Sequence, residues 1–231
     1  MRSDTRRPSG RLSGAEDVAD GVEFPAGPGR PARATRGGPD GPDDRRRNPG
    51  GDGARPSPLL DPAAATAYER LPRPAPHTAA ELAALTGLLT APGAGVTTVT
   101  VGHSRDAAAT ASVAAFTALW EARGGVVLAV VDWPETAASW LRAADRMTAE
   151  TPDAWVVAAA MTGFVQLARR MLVSTAWEPA RTYAFGSLCD SRLPALAGPG
   201  ALDGLRGAGV DGGTWEVRGR GVTTFPPRTG E

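Results

Sequence analysis

Apolar residues along this chain gather into short unbroken runs, separated by stretches with the period of a helix. Between Gly124 and Ser187 the pattern reads strand, helix, strand, helix, strand. Val126-Val127-Leu128-Ala129-Val130-Val131 is continuous, as expected of a strand covered on both faces. Asp132-Trp133-Pro134-Glu135 then carries helix-start signals: an acceptor side chain, a proline suited to a first turn, and a Glu three residues after the Asp. Ala154-Trp155-Val156-Val157-Ala158-Ala159 is the next buried run, after Pro152. Such alternation predicts an α/β fold, a three-layer Rossmann-like domain with a mostly parallel sheet and helices packed on it.

The same pattern extends to both sides. Thr78-Ala79-Ala80-Glu81 is a capping-box sequence, and Leu82, Leu85, Leu88 and Leu89 fall on one helical face. Val96-Thr97-Thr98-Val99-Thr100-Val101 predicts a strand, nearer the sheet edge because half of it is polar. Residues 106 to 123 predict a helix that Ser104 or Asp106 can cap, with Val113, Phe116, Leu119 and Trp120 as its apolar stripe, closed by Gly124-Gly125. The helix after Asp132 places Ala137, Trp140, Leu141, Ala144 and Met147 on one side. A third, over 163 to 174, uses Phe164, Leu167, Ala168, Met171 and Leu172. Thr182 to Gly186 predicts a strand, Arg192 to Gly207 a short helix or two, and Thr214-Trp215-Glu216-Val217 a last strand.

Composition sets the domain limits. Residues 1–75 are dominated by Gly, Pro, Arg, Asp and Ser without sustained periodicity, so too little apolar surface is present to offset the entropy of ordering. They are expected to be disordered, residues 76–218 to form one domain, and 219–231 to be a flexible tail. The formal net charge of the 231 residues is zero, so no global field draws the chain to nucleic acid or to an anionic membrane. No apolar run approaches the roughly 20 residues of a membrane span. The N-terminus is basic but lacks an apolar core after its arginines, which points to the cytoplasm.

Three absences narrow the chemistry. The chain has no lysine, which removes a Walker-type phosphate lysine and a Schiff-base lysine. Its one cysteine, Cys189, rules out an intrachain disulfide and a Cys-x-x-Cys site. His77 and His103 are its only histidines and lie far apart, so no metal site is predicted. No Gly-x-Gly-x-x-Gly sits between a strand and a helix, and no cofactor is implied.

Two residues invite a nucleophile reading. Gly102-His103-Ser104 follows a strand and precedes a helix, the setting of a hydrolase elbow. Yet Asp106 stands where the tight turn wants glycine, and no histidine follows His103 to complete a triad. Cys189 has no histidine near it in sequence. In open α/β sheets, ligands lie beyond the carboxyl ends of the strands. Those ends supply Ser104, Arg105, Asp106, Trp133, Met161, Thr162, Ser187 and Asp190 as candidate ligand-binding residues. Hydroxyls, a guanidinium, carboxylates and an aromatic face suit a small polar ligand better than covalent chemistry. Ser104, Asp132 and Thr162 equally suit helix caps, and Trp133 a packing residue.

The succession of elements resembles the second lobe of a type I periplasmic-binding-protein-like domain, in the leucine/isoleucine/valine-binding branch of ABC-importer solute-binding proteins. The residues that carry the resemblance are Val96-Val101 with the helix ending Glu121-Ala122-Arg123-Gly124-Gly125, then Asp132 to Arg146, Pro152-Asp153-Ala154-Trp155-Val156-Val157, the helix Met161 to Met171, and Tyr183 to Asp190 leading into Leu193 to Ala208. The resemblance implies a non-catalytic binding protein of two lobes that closes on an amino acid or similar solute and feeds an importer or receptor. It places the ligand side at Ser104-Arg105-Asp106, Met161-Thr162 and Ser187 to Asp190. Where the family carries Tyr-Gly after the first strand, this chain has Asp106-Ala107-Ala108. A first lobe has no counterpart in residues 1–75, so a first lobe or importer subunits on other chains are the expected partners. The competing readings are a Rossmann-like hydrolase using Ser104 or Cys189, and a partner-binding or degenerate module without a ligand.

Overall fold

The computed structural model describes residues 71–227. The chain runs α1 (Ala79–Leu89), β1 (Thr98–Ser104), α2 (Ala107–Ala122), β2 (Val126–Trp133), α3 (Leu141–Thr148), β3 (Ala154–Ala158), α4 (Met161–Ser174), β4 (Thr182–Ala184), α5 (Arg192–Ala197), β5 (Arg206–Ala208), β6 (Thr214–Arg218) and β7 (Gly221–Phe225). The seven strands form one sheet in the order β2-β1-β3-β4-β5-β6-β7. The first five are parallel, and β6 and β7 close the sheet antiparallel.

Helices cover both faces, which gives the three layers expected. On one face α1 and α2 bury Leu85, Leu89, Val113, Phe116 and Trp120. On the other, α3, α4 and α5 bury Met147, Phe164, Met171 and Leu193, with Trp140 from the loop before α3. The two cores meet across β3: Ala154, Val156 and Ala158 belong to the first, Trp155 and Val157 to the second. A strand with both faces covered reads as a continuous apolar run, and β3 is that strand.

The structure inverts the edge assignment. β2, with its apolar run Val126 to Val131, lies at the edge, with Val126 and Val130 49% and 45% exposed. The Thr-rich β1 is interior, paired on both sides by β2 and β3, and the threonines at its solvent-facing start are engaged by a side chain. Asp153 Oδ2 accepts from the backbone N–H groups of Thr97 and Thr98 at 2.9 and 2.8 Å and from their hydroxyls at 2.8 and 2.9 Å. The exposed edge is interrupted instead by an irregularity in the β1–β2 pairing, where Leu128 is skipped, and by Arg146, which donates to Val130 O at 3.3 Å. Both features hinder pairing with a further strand.

Three further expectations change. The helix after Asp132 starts only at Leu141, because Trp133 continues β2 into the core and residues 134–140 form a loop; Leu141 is exposed. Gly221–Phe225, expected as flexible tail, is β7, paired with β6 through a two-residue turn whose Gly219 has φ +60°. The disorder expected of residues 1–75 falls, up to residue 70, outside the described residues, but Leu71 is partly buried against the α3–α5 core. α1 does begin on the predicted capping box: Glu81 N–H donates to Thr78 Oγ1 at 3.0 Å, and Thr78 N–H to Glu81 at 3.4 Å.

Candidate functional site

In the order β2-β1-β3 the succession of parallel strands switches from one side of β1 to the other, and the crevice outside the carboxyl ends at such a switch point is where open α/β sheets hold ligands. A cavity of 560 Å³ lies there. Its floor is the start of α2, Asp106 to Ala108, and the start of α4, Ala160 to Thr162. Glu135, from the loop after β2, forms one side, and Leu71 to Pro74 form another.

Each end is locally determined. Asp106 caps α2, its Oδ1 accepting Ala109 N–H at 2.8 Å. Ser104 is fully buried; its Oγ donates to Asp106 Oδ2 at 2.5 Å and accepts Ala160 N–H at 2.9 Å. One hydroxyl therefore joins the end of β1, the cap of α2 and the approach to α4. α4 has no capping side chain of its own at Ala160. Glu135 lies beside this end of the helix, against Gly163. Although Glu135 reaches solvent, its carboxyl is crowded against α4. Burial pushes its pKa up, the Gly163 backbone N–H opposes this, and the negative charge of Asp106 adds to it.

Of the eight residues singled out in the sequence, Asp106, Met161 and Thr162 line the cavity. Trp133 is a packing residue, 1% exposed, with its ring over Gly102. Arg105 points instead to Asp132, Nε to Oδ2 at 2.6 Å, and this hydrogen bond holds the Asp132 carboxyl below its usual range. Ser187 Oγ donates to Ala159 O at 3.0 Å, bracing β3. Asp190 is engaged by Arg192 at 2.6 Å, which lowers its pKa. Glu135 and the Leu71 to Pro74 segment escaped sequence reasoning. Glu135 was legible only as a cap for its own following helix, whereas it lies against the start of α4.

Neither nucleophile is set up for catalysis. Ser104 is sealed and hydrogen-bonded on both sides, and His103 Nδ1 lies 2.9 Å from the Ser104 carbonyl oxygen rather than at its hydroxyl. Burial, then the charges of Asp190 and Asp211, push the Cys189 thiol up, away from the reactive thiolate. Among the described residues no group of three or more His, Cys, Asp or Glu could hold a metal ion, and no helix is long and apolar enough to cross a membrane.

A larger groove of 660 Å³ runs between α1 and the Asp211 to Thr214 turn, lined by alanine, glycine and leucine. Asp211 is its one charged lining residue. It lacks the convergent polar groups that fix a ligand's orientation, so the smaller cavity is the better candidate.

No protein-family profile matches the chain, and no curated protein sequence does. Solved structures do. A substrate-binding periplasmic protein from Ralstonia solanacearum is 22% identical with a TM-score of 0.50, over 66% of this chain and 43% of that one. A periplasmic binding protein type 1 from Bordetella pertussis Tohama I is 19% identical with a TM-score of 0.46, over 56% and 33%. A candidate branched-chain amino acid ABC transporter protein from Rhodospirillum rubrum is 24% identical with a TM-score of 0.48, over 56% and 36%. The chain spans less than half the length of each of these structures. With the sheet order and the helix layers described above, this likeness gives the chain the fold of one lobe of a type I periplasmic binding protein.

Proposed function

We propose that this domain is a non-catalytic solute-binding domain that takes a small polar solute, such as an amino acid, at the carboxyl ends of β1, β2 and β3. The observation that carries the reading is the 560 Å³ cavity at the point where the strand order switches, lined by Asp106, Glu135 and Arg73. Its size is within the range of small-molecule sites, and its few charges are of both signs. The fold likeness to a substrate-binding periplasmic protein supports the same role. Partners would then be the subunits of an ABC-type importer, or a receptor, together with a first lobe. A periplasmic location goes with this reading, as the Ralstonia protein is periplasmic by its description. The cytoplasmic expectation rests on residues outside those described.

The test is a thermal-melt screen of the full chain against amino acids and small amides. A ligand at 100 times its Kd raises stability by about 2.7 kcal/mol. No shift with any member of the panel overturns the reading. The hydrolase alternative is disfavoured by the double engagement of Ser104 Oγ and by the raised pKa of Cys189.

A further inference from the structure

We propose that the segment Leu71-Pro72-Arg73-Pro74 is the opposite wall of the solute cavity, supplied in cis, and that Arg73 is the group that takes a carboxylate. The occupant is then a zwitterion: its carboxylate meets Arg73, and its ammonium meets Glu135 and Asp106. This rests on the binding reading above and names which side of the site reads which end of the solute.

Four observations carry it. First, the segment lines the cavity rather than filling it, leaving 560 Å³ between itself and the starts of α2 and α4. That is a wall, not a plug. Second, the segment is fixed at both ends. Leu71 packs against the α3–α5 core. At the other end the His77 ring meets Phe185 edge-on at 6.3 Å, and Thr78 Oγ1 donates to Val210 O at 2.6 Å.

Third, the stretch between these anchors is stiff. Pro72, Pro74 and Pro76 alternate with Leu71, Arg73, Ala75 and His77. Each proline fixes its own φ near −65° and pushes the preceding residue into extended backbone, so the arm loses little entropy on ordering. Fourth, the charge on the arm is opposite to the charge across the cavity. Arg73 is the one cationic lining residue, and Asp106 and Glu135 are the two anionic ones. A guanidinium offers paired donors that match a carboxylate.

The experiment uses the full chain and three variants: Arg73→Ala, Leu71→Asp, and the double variant Pro72→Gly/Pro74→Gly. Hydrogen exchange of the Ala109 and Ala160 amides, both hydrogen-bonded beneath the cavity, is measured first, without ligand. Release of the arm in Leu71→Asp and in the proline double variant should speed exchange at both amides about tenfold, with β4 and β5 amides unchanged. Calorimetry then uses each common amino acid and the amide of any that binds. Arg73→Ala should weaken the free amino acid at least tenfold and leave its amide within twofold. Unchanged exchange in both arm variants overturns the wall. Equal affinity of Arg73→Ala and the unaltered chain for the amino acid overturns the carboxylate role. Faster exchange with no amino acid bound by the unaltered chain overturns the binding reading, and this assignment with it.

Discussion

Ser104 Oγ accepts the Ala160 N–H at 2.9 Å across the gap between the ends of β1 and β3. The same hydroxyl donates to Asp106 Oδ2. A serine so placed holds two strand ends and a helix cap in register, and its proton is committed to a carboxylate that is itself a cap. Replacing it with alanine leaves a backbone donor without its partner in a sealed site. Ser104→Ala should therefore lose about 1–3 kcal/mol of stability. Chemical denaturation with an unchanged m-value checks this, and a loss below about 0.5 kcal/mol would contradict the bracing role.

Glu81 joins α1 to the end of β4 over 105 positions of sequence, its Oε1 accepting Gly186 N–H at 2.6 Å. It is 2% exposed. Burial raises its pKa, while the hydrogen bonds from Gly186 and Thr78 and the nearby His77 pull it back. The folded state thus binds the Glu81 proton more tightly than the unfolded chain does. Its stability contribution is greatest at low pH and declines as pH rises from about 4 through the raised folded value. Glu81→Gln keeps an acceptor for Gly186 and removes the charge. The variant should gain on the unaltered protein as pH is raised from about 4 to 7, and a flat difference across that range would refute the assignment.

Asp153 behaves in the opposite sense. Four donors from Thr97 and Thr98 converge on one of its oxygens and hold its carboxyl well below the usual carboxylate range. A depressed folded pKa contributes stability that is present above the unfolded value of about 3.9 and lost as pH falls. Asp153→Ala removes this clamp between the start of β1 and the start of β3. It should cost about 1.5–3 kcal/mol at neutral pH, as for a hydrogen bond to a charged group. The difference from the unaltered protein should shrink when the comparison is repeated below pH 4.

These contacts also explain what was legible in the sequence. Local signals were reliable where a residue acts on its own neighbours: Thr78 and Glu81 cap α1, Asp106 caps α2, and the stripe of Val113, Phe116 and Trp120 is buried. They misled where a residue serves a distant element. Glu135 resembles the third residue of a capping box but lies against the start of α4, and the expected helix starts only at Leu141. The threonines of β1 resemble an edge pattern, but β1 pairs on both sides, and Asp153 engages Thr97 and Thr98 at its solvent-facing start. β5 was hidden because its centre is Gly207, which periodicity cannot count. A Cβ there would lie 1.9 Å from Ala184 O, so glycine is what lets β4 and β5 approach. For the site, strand ends pointed to the correct side of the sheet, but only three of the eight residues face the cavity. Which way a side chain turns at a strand end depends on partners such as Asp132 for Arg105 and Arg192 for Asp190.

Gly102 gives a test of the packing beneath the site. A Cβ at this position in β1 would lie 2.7 Å from Trp133 Cζ3 and 2.8 Å from Met147 Sδ. Both neighbours are buried, so neither can swing into solvent. Gly102→Ala forces Trp133 or α3 outward and should destabilise by about 1–3 kcal/mol, the range for overpacking a filled core. Gly87 is the control. It sits on the exposed side of α1, and a Cβ there would have no other atom within 4 Å, so alanine meets no obstacle. Gly87→Ala should stabilise by about 0.5–1 kcal/mol through helix entropy alone. Both are measured by denaturant unfolding. Opposite signs for the same glycine-to-alanine change would place the Gly102 effect in contact with Trp133 and Met147. A stabilising Gly102→Ala would mean that the Trp133 ring does not rest on β1.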